Sequence, residues 1–217
     1  METDGTDDEF GMAPGEADAL LCINLSSPQS QPAAPIVDLI GQISLPPPPP
    51  PPTPPPRPLP DHGLDHGLQA AIERLGATTL REFQQEALSA YLCGSDTLIL
   101  AATGSGKSLC FQAPALLPAA AQKTVFVVSP LISLMRDQVA GLAQNGVPAV
   151  FLGSAQRDTS ALDRVLAGGY RVCYVCPETL IGKVLPRLRA DQVALFAIDE
   201  CHCVSKWGHD FRPEYLR

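Results

Sequence analysis

Five apolar runs of strand length, set apart by stretches with helical spacing, limit what this chain can become. They are Thr97–Ala101, Thr124–Ser129, Ala149–Leu152, Arg171–Val175 and Ala194–Ile198. Their residues are apolar without alternation, so both faces of each strand must be covered. Helical spacing fills several of the intervals, notably about Leu134–Gln144, closed by Gly146, and about Ser160–Ala167, closed by Gly168 and Gly169. Two further helical segments precede the first run. Leu64, Leu68, Ala71, Ile72 and Leu75 form one stripe that stops at Gly76. Thr79-x-x-Glu82 reads as a capping box, opening a helix with Leu80, Phe83, Leu88 and Tyr91 on one side and an end near Gly94. Continuous apolar strands alternating with helices predict an α/β domain, a mostly parallel sheet with helices on both faces.

Only residues 61–217 carry this pattern. Residues 1–60 hold sixteen of the 23 prolines, including the uninterrupted run Pro46–Pro52. They also hold eight acidic residues against one base, Arg57, so most of the net charge of −8 belongs to them. The acidic balance therefore says little about what residues 61–217 bind. Residues 1–60 are expected to be a disordered acidic, proline-rich tail, too poor in apolar side chains to offset the entropy of ordering. Pro46–Pro60 favours polyproline II and could serve as a ligand for an SH3, WW or profilin-type partner; an unselected spacer is the alternative. The apolar patch Ala19–Leu25 follows acidic residues and lacks a basic flank, which makes it a poor signal peptide. No run approaches the length of a membrane span, so a soluble chain without membrane contact is expected.

Seven scattered cysteines, an odd number without a secretory signal, point to reduced thiols. Cys173-x-x-Cys176 with Cys201-His202-Cys203 superficially looks like a zinc set. A strand over Arg171–Val175 would send residues three apart to opposite faces, which argues against zinc.

Two motifs carry chemistry. Ala101–Ser108 reads AATGSGKS and sits between an apolar strand and a helical segment, the setting of a phosphate-binding loop. Gly104 and Gly106 allow backbone N–H groups to turn inward on phosphate oxygens. Lys107 brings a positive charge to the β- and γ-phosphates, and Ser108 offers a hydroxyl to Mg²⁺. The usual first glycine is Ala101 here. Asp199 and Glu200 end the last apolar run; one carboxylate can hold Mg²⁺ through water, and its neighbour can polarise an attacking water. A surface cap would be the reading of Asp-Glu alone. Its pairing with a phosphate loop 92 residues earlier makes it catalytic.

With those motifs in place, the chain resembles RecQ-family DNA helicases of superfamily 2 over about residues 64–217. The resemblance rests first on DECH followed by CVSKWGHDFRPEY, like the family's DExH box and aromatic-rich loop. LREFQ, Leu80–Gln84, is similar to the adenine-reading motif, with leucine in place of the first aromatic. Thr103–Leu116, Val127–Val139 and Tyr174–Leu180 resemble motifs I, Ia and Ib, and the wording is nearest the plant RecQ-like SIM subfamily. Cys201 departs from the family, where alanine is usual.

The resemblance implies a RecA-like lobe that uses ATP and Mg²⁺. Arg81 and Gln84 would contact adenine, Thr103, Gly104, Ser105, Gly106, Lys107 and Ser108 the phosphates, and Ser108 with Asp199 the metal. Lys107, Asp199, Glu200 and His202 would be catalytic, His202 relaying between nucleotide and DNA. Trp207, Phe211 and Arg212 would meet single-stranded or forked DNA, with Ser129, Pro130, Pro177 and Glu178 at its phosphates. ATP-dependent 3′→5′ unwinding in DNA repair or recombination, in the nucleus, is the implied function. An RNA helicase and a non-enzymatic nucleotide- or partner-binding product are the alternatives.

The family's motif III and second lobe, with its arginine finger, have no counterpart in the sequence. Such fingers contribute roughly 10³–10⁵ in rate, so the chain alone is expected to hydrolyse ATP barely at all and to be marginally stable. RecA-like folds place the motif III strand between the phosphate-loop strand and the DExH strand. Strands 97–101 and 194–198 are therefore expected not to pair with each other, leaving a slot of about 10 Å.

Overall fold

The computed structural model describes residues 17–23 and 64–201, and the fold is that of these residues. Six strands form one sheet: β1 (Ala17–Ile23), β2 (Thr97–Ala102), β3 (Thr124–Val128), β4 (Ala149–Leu152), β5 (Val172–Val175) and β6 (Val193–Ile198). The main helices are α1 (Leu64–Arg74), α2 (Glu82–Leu92), α3 (Ser108–Gln112), α4 (Ile132–Gln144) and α5 (Ala161–Leu166). Short helical turns follow α3 and run from Pro177 to Arg187. Strands β2 to β6 fall within one residue of the apolar runs at nearly every end. The α/β architecture read from the sequence is present.

The strand order is β2-β1-β6-β3-β5-β4. β3 lies parallel to β5 on one side and to β6 on the other, and β4 lies parallel to β5. Every residue of β3 is buried, as a strand covered on both faces requires. One face of the sheet sets Val125, Val127, Tyr174, Leu195 and Ala197 against Ala87 of α2, Cys110 and Phe111 of α3, and Met135 and Leu142 of α4. The opposite face sets Phe126, Val128, Val150, Leu152, Cys173 and Val175 against Ala161 and Val165 of α5 and Val184. Cys173 and Cys176 accordingly belong to different faces. Among the described residues no group of three or more His, Cys, Asp or Glu could hold a metal ion.

The ends of α4 show how sequence sets helix length. Gly146 has φ +66°; its N–H reaches Ala143 O at 3.0 Å and the Val147 N–H reaches Leu142 O at 2.9 Å. Those two bonds satisfy carbonyls the last helical turn leaves open, in a conformation where a side chain would be strained.

Two expectations need correction. The stretch 1–60 is not wholly without regular structure, because Ala17–Ile23 is a strand in the middle of the sheet. β1 runs antiparallel to β2, Ala17 opposite Ala102 and Cys22 opposite Thr97, and antiparallel to β6, Leu21 to Ile23 opposite Ile198 to Phe196. Leu20 is fully buried and Cys22 is 8% exposed, in the core with Ile99, Cys110 and Ala197. The apolar patch Ala19–Leu25, considered from sequence only as a signal peptide, supplies most of this strand. β2 and β6 indeed make no ladder with each other, and β1 occupies the place between them. The Pro46–Pro60 segment lies outside the described residues.

The second correction is the cap of α2. The helix begins at Glu82 with Arg81 as its N-cap, and Gln84 Oε1 accepts from the Arg81 N–H at 2.8 Å. Gln84 thus takes the place in the cap that Glu82 was expected to hold, two residues further along. At the other side of the sheet, Leu98 and Leu100 of the outer strand β2 remain 59% and 68% exposed. No helix of the described residues is long and apolar enough to cross a membrane.

Burial pushes the Cys22 thiol up to about 12, with Cys110 and then Asp199 adding to the effect, and burial likewise pushes Cys110 up to about 12. In the unfolded chain both thiols ionise from about pH 8.5. Above that pH the folded protein keeps protons the unfolded chain releases, so stability falls as pH rises. The urea midpoint is expected to drop between pH 8 and pH 10. Alkylation of the native chain, followed by mass spectrometry, should modify the half-buried Cys93 well before Cys22 and Cys110; rapid modification of Cys22 would place β1 outside the sheet.

Candidate nucleotide-binding site

β2 delivers the phosphate loop. The chain leaves the strand at Ala102, turns with Ser105 N–H donating to Ala102 O at 3.0 Å, and enters α3 at Ser108. Gly104 and Gly106 have φ +74° and +87°, values that side chains rarely adopt. Lys107 Nζ donates to Ala101 O at 2.9 Å and to Ala102 O at 3.2 Å, folding the side chain back over the loop. Ser105 Oγ is buried without a hydrogen-bond partner among the described residues. Buried hydroxyls are normally paired, so an orphan inside a loop of inward-turned N–H groups fits a ligand rich in acceptor oxygens. A phosphate chain is such a ligand.

Gln84 ties α2 to this loop. It is 4% exposed; its amide oxygen holds the cap of α2, and its Nε2 donates to Gly106 O at 2.9 Å. A Cβ on Gly106 would lie 2.9 Å from that same nitrogen and push the Gln84 amide aside, while the φ of +87° is what calls for glycine. A cleft of about 360 Å³ opens here. Gly76, Ala77 and Thr79 line it on one side with Arg81 and Gln84, and Gly104 to Gly106 line it on the other. The loop between α1 and α2 was read from sequence only as a helix end and a cap. Leu80, the departure from the family's aromatic, packs against the small core of Ile72, Leu88 and Ala113.

β6 delivers the acids to the same edge of the sheet. Asp199 N–H donates to Val128 O at 2.9 Å, continuing the β3–β6 ladder by one bond, and Glu200 N–H donates to Asp199 Oδ1 at 3.1 Å. Glu200 has φ +54°, so the backbone turns sharply between the two carboxylates. Asp199 faces the α3 side of the sheet: its charge adds to burial in raising both the Cys22 thiol and the Tyr174 phenol. Ser108 begins α3 on that side, and a hydroxyl with a hard carboxylate suits Mg²⁺.

The residues expected at DNA phosphates are mostly covered. Ser129, Pro130 and Pro177 are buried, and Glu178 is half-buried. Ser129 is 1% exposed and its Oγ has no hydrogen-bond partner among the described residues. His202, Trp207, Phe211 and Arg212 lie outside the described residues. Sequence reasoning also passed over a half-buried polar group behind the loop. Gln112 Nε2 donates to Gln138 Oε1 at 2.8 Å and to Tyr174 Oη at 2.9 Å, joining α3, α4 and β5. Gln112 is legible only as a polar residue inside an otherwise apolar stretch, LCFQAPAL.

Residues 81–217 match the family model described as DEAD/DEAH box helicase. The chain belongs to that family. It is 54% identical over 147 residues to the ATP-dependent DNA helicase Q-like SIM of Arabidopsis thaliana, covering 66% of this chain and 17% of that protein. It is 44% identical over 146 residues to the ATP-dependent DNA helicase RecQ of Haemophilus influenzae, covering 65% of this chain and 23% of that one. With the ATP-dependent DNA helicase Q4 of Homo sapiens it shares 41% identity over 152 residues, 68% of this chain and 13% of that protein. The shared part is a RecQ-type helicase domain, and the chain spans about a fifth of the length of these relatives.

The loop geometry sets an expectation for Gly106→Ala. The added methyl meets Gln84 Nε2 and is strained at φ +87°. Affinity for a fluorescent ATP analogue, read by anisotropy, should fall more than tenfold, with a loss of stability of about 1–3 kcal/mol. Tyr174→Phe, which leaves the Gln112–Gln138 bond in place, should cost only about 1 kcal/mol in urea unfolding.

Proposed function

We propose that this lobe binds ATP·Mg²⁺ and serves an ATP-dependent 3′→5′ DNA helicase of the RecQ type, acting on single-stranded or forked DNA in repair or recombination in the nucleus. The observation that carries the reading is the meeting of three motifs at one sheet edge. The phosphate loop on β2, Gln84 bonded to that loop, and the acid pair on β6 all lie there. Polarity, DNA preference and location come from the family alone.

Each described side chain then has a task. Gln84 and Arg81 recognise adenine; Gln84 would exchange its bond to Gly106 O for one to the base. Lys107 leaves the Ala101 and Ala102 carbonyls for the β- and γ-phosphate oxygens, trading neutral acceptors for charged ones. Thr103 to Ser108 wrap the phosphates with backbone N–H groups, and Ser105 Oγ gains an acceptor. Ser108 and Asp199 would hold Mg²⁺, which when bound neutralises charge on the phosphates. Glu200 orients the attacking water and takes its proton. His202 would pass the state of the nucleotide to Trp207, Phe211 and Arg212, whose contacts with unpaired bases contribute about 1–3 kcal/mol per stacked base. Ser129, Pro130 and Pro177, being buried, would offer DNA their backbone rather than their side chains.

ATPase activity measured with and without single-stranded DNA tests the reading, using this chain beside one extended through a second lobe. The extended chain should hydrolyse ATP with DNA stimulation and lose at least a hundredfold on Lys107→Ala, while this chain alone binds nucleotide but turns it over slowly. An extended chain that ignores DNA and responds to RNA would make it an RNA helicase. A chain that binds no nucleotide would remove the reading altogether.

A further inference from the structure

β1 is out of keeping with its sheet. The pairings among β3, β4, β5 and β6 are parallel, whereas β1 is antiparallel to both its neighbours. It comes from the acidic N-terminal stretch, and residues 24–63 separate it from α1. Its fit is nonetheless specific. Six of its residues are in register with β2 and three with β6, and this register buries Leu20 and Cys22 in the main core. A slip of one residue would put Ala19 and Leu21, or Leu21 and Ile23, in the places of Leu20 and Cys22.

The strands on either side carry the two halves of the nucleotide site. β2 runs into Thr103–Ser108 and β6 into Asp199–Glu200. Being antiparallel, β1 begins at that functional edge, with Ala17 opposite Ala102 and Asp18 opposite Ala101. Those two β2 residues are the ones whose carbonyls receive Lys107. β2 stands at the end of the sheet, so β1 is its only ladder partner among the described residues. Without β1, the phosphate loop would hang on helix packing alone, and nothing would fix its distance from the acids. With β1 seated, strand spacing sets β2 and β6 about 9–10 Å apart, and the register fixes their stagger, with Ala102 opposite Ala17 and Ile198 opposite Leu21.

We propose that Ala17–Ile23 is a positioning strand for the nucleotide site: its seating between β2 and β6 holds the phosphate loop in register with the acid pair, and nucleotide affinity follows its seating. This rests on the nucleotide reading above and adds to it an element that the family match, residues 81–217, does not include. The strand also makes the site sensitive to anything that competes for the same place in the sheet.

The test uses the full chain. Leu21→Cys with Leu98→Cys joins residues that are directly opposed in the ladder, where Cα atoms lie about 4.5–5.5 Å apart and within disulfide reach. Under mild oxidation the linked peptides should appear in a digest, and the linked chain should bind a fluorescent ATP analogue at least as tightly as wild type. No link, or binding more than tenfold weaker once linked, overturns the proposal. Leu20→Asp places a charge in the core and should weaken binding at least tenfold, while Leu20→Met should stay within twofold of wild type. Where Leu20→Asp loses its cooperative thermal transition, Asp18→Pro disturbs only the phosphate-loop end of β1. It should weaken binding at least threefold with the transition kept. Unchanged affinity in the folded variants overturns the positioning role. Wild type that binds no nucleotide overturns the underlying reading instead, so the two failures are distinguishable.

Discussion

The site exists because β6 lies parallel to β3. Their ladder runs from Thr124 opposite Val193, past an irregularity before Val125, to Val128 opposite Ile198, and the Asp199 N–H adds one more bond to Val128 O. β3 is buried along its whole length, so it cannot shift without exposing core on both faces. The carboxylates therefore inherit their position from a strand with no exposed residue. Parallel pairing also brings the ends of β3, β5 and β6 to a common edge, which is where ligands settle in open α/β sheets. The chemistry sits where the backbone has least freedom to move.

The hydrogen bonds of Gln84 extend that rigidity to the nucleotide side. One amide caps α2 through Arg81 and reaches the phosphate loop through Gly106. Behind it, Gln112 ties α3 to α4 and β5. The loop is thus held from in front and behind by side-chain amides, and its own hydroxyl at Ser105 is left over for a ligand. A loop backbone prepared in this way needs little reordering to take an anion, and the partners to be exchanged are those of the Lys107 and Gln84 side chains.

Strands β2 to β6 were legible in the sequence because fully buried strands need uninterrupted apolar runs, and helices α1, α4 and α5 because glycine stops are local signals. The phosphate loop and the acid pair were legible for a related reason: their chemistry needs particular residues at particular spacing. Three things were not. β1 is a seven-residue, mostly apolar segment whose pairing partners lie about 80 and 175 residues away, and local composition around it points to disorder. The cap at Arg81 was misread because Thr79-x-x-Glu82 satisfies the same pattern two residues earlier, and only packing decides between them. The Gln112–Gln138–Tyr174 group joins residues that share no motif and meet only in three dimensions.

The outer strand β2 has a further consequence for how the protein behaves in solution. Among the described residues its outer rim has no ladder partner, and with the exposed Leu98 and Leu100 it is the sort of edge that invites other strands to add to it. The net charge of −8, carried mostly by residues 1–60, opposes that by keeping copies apart. Trimming the N-terminal stretch to obtain a compact domain would strip away this electrostatic repulsion and β1 together. The edge of the sheet would then move to β6, beside Asp199 and Glu200, and self-association would compete with folding at the place where the candidate site must form.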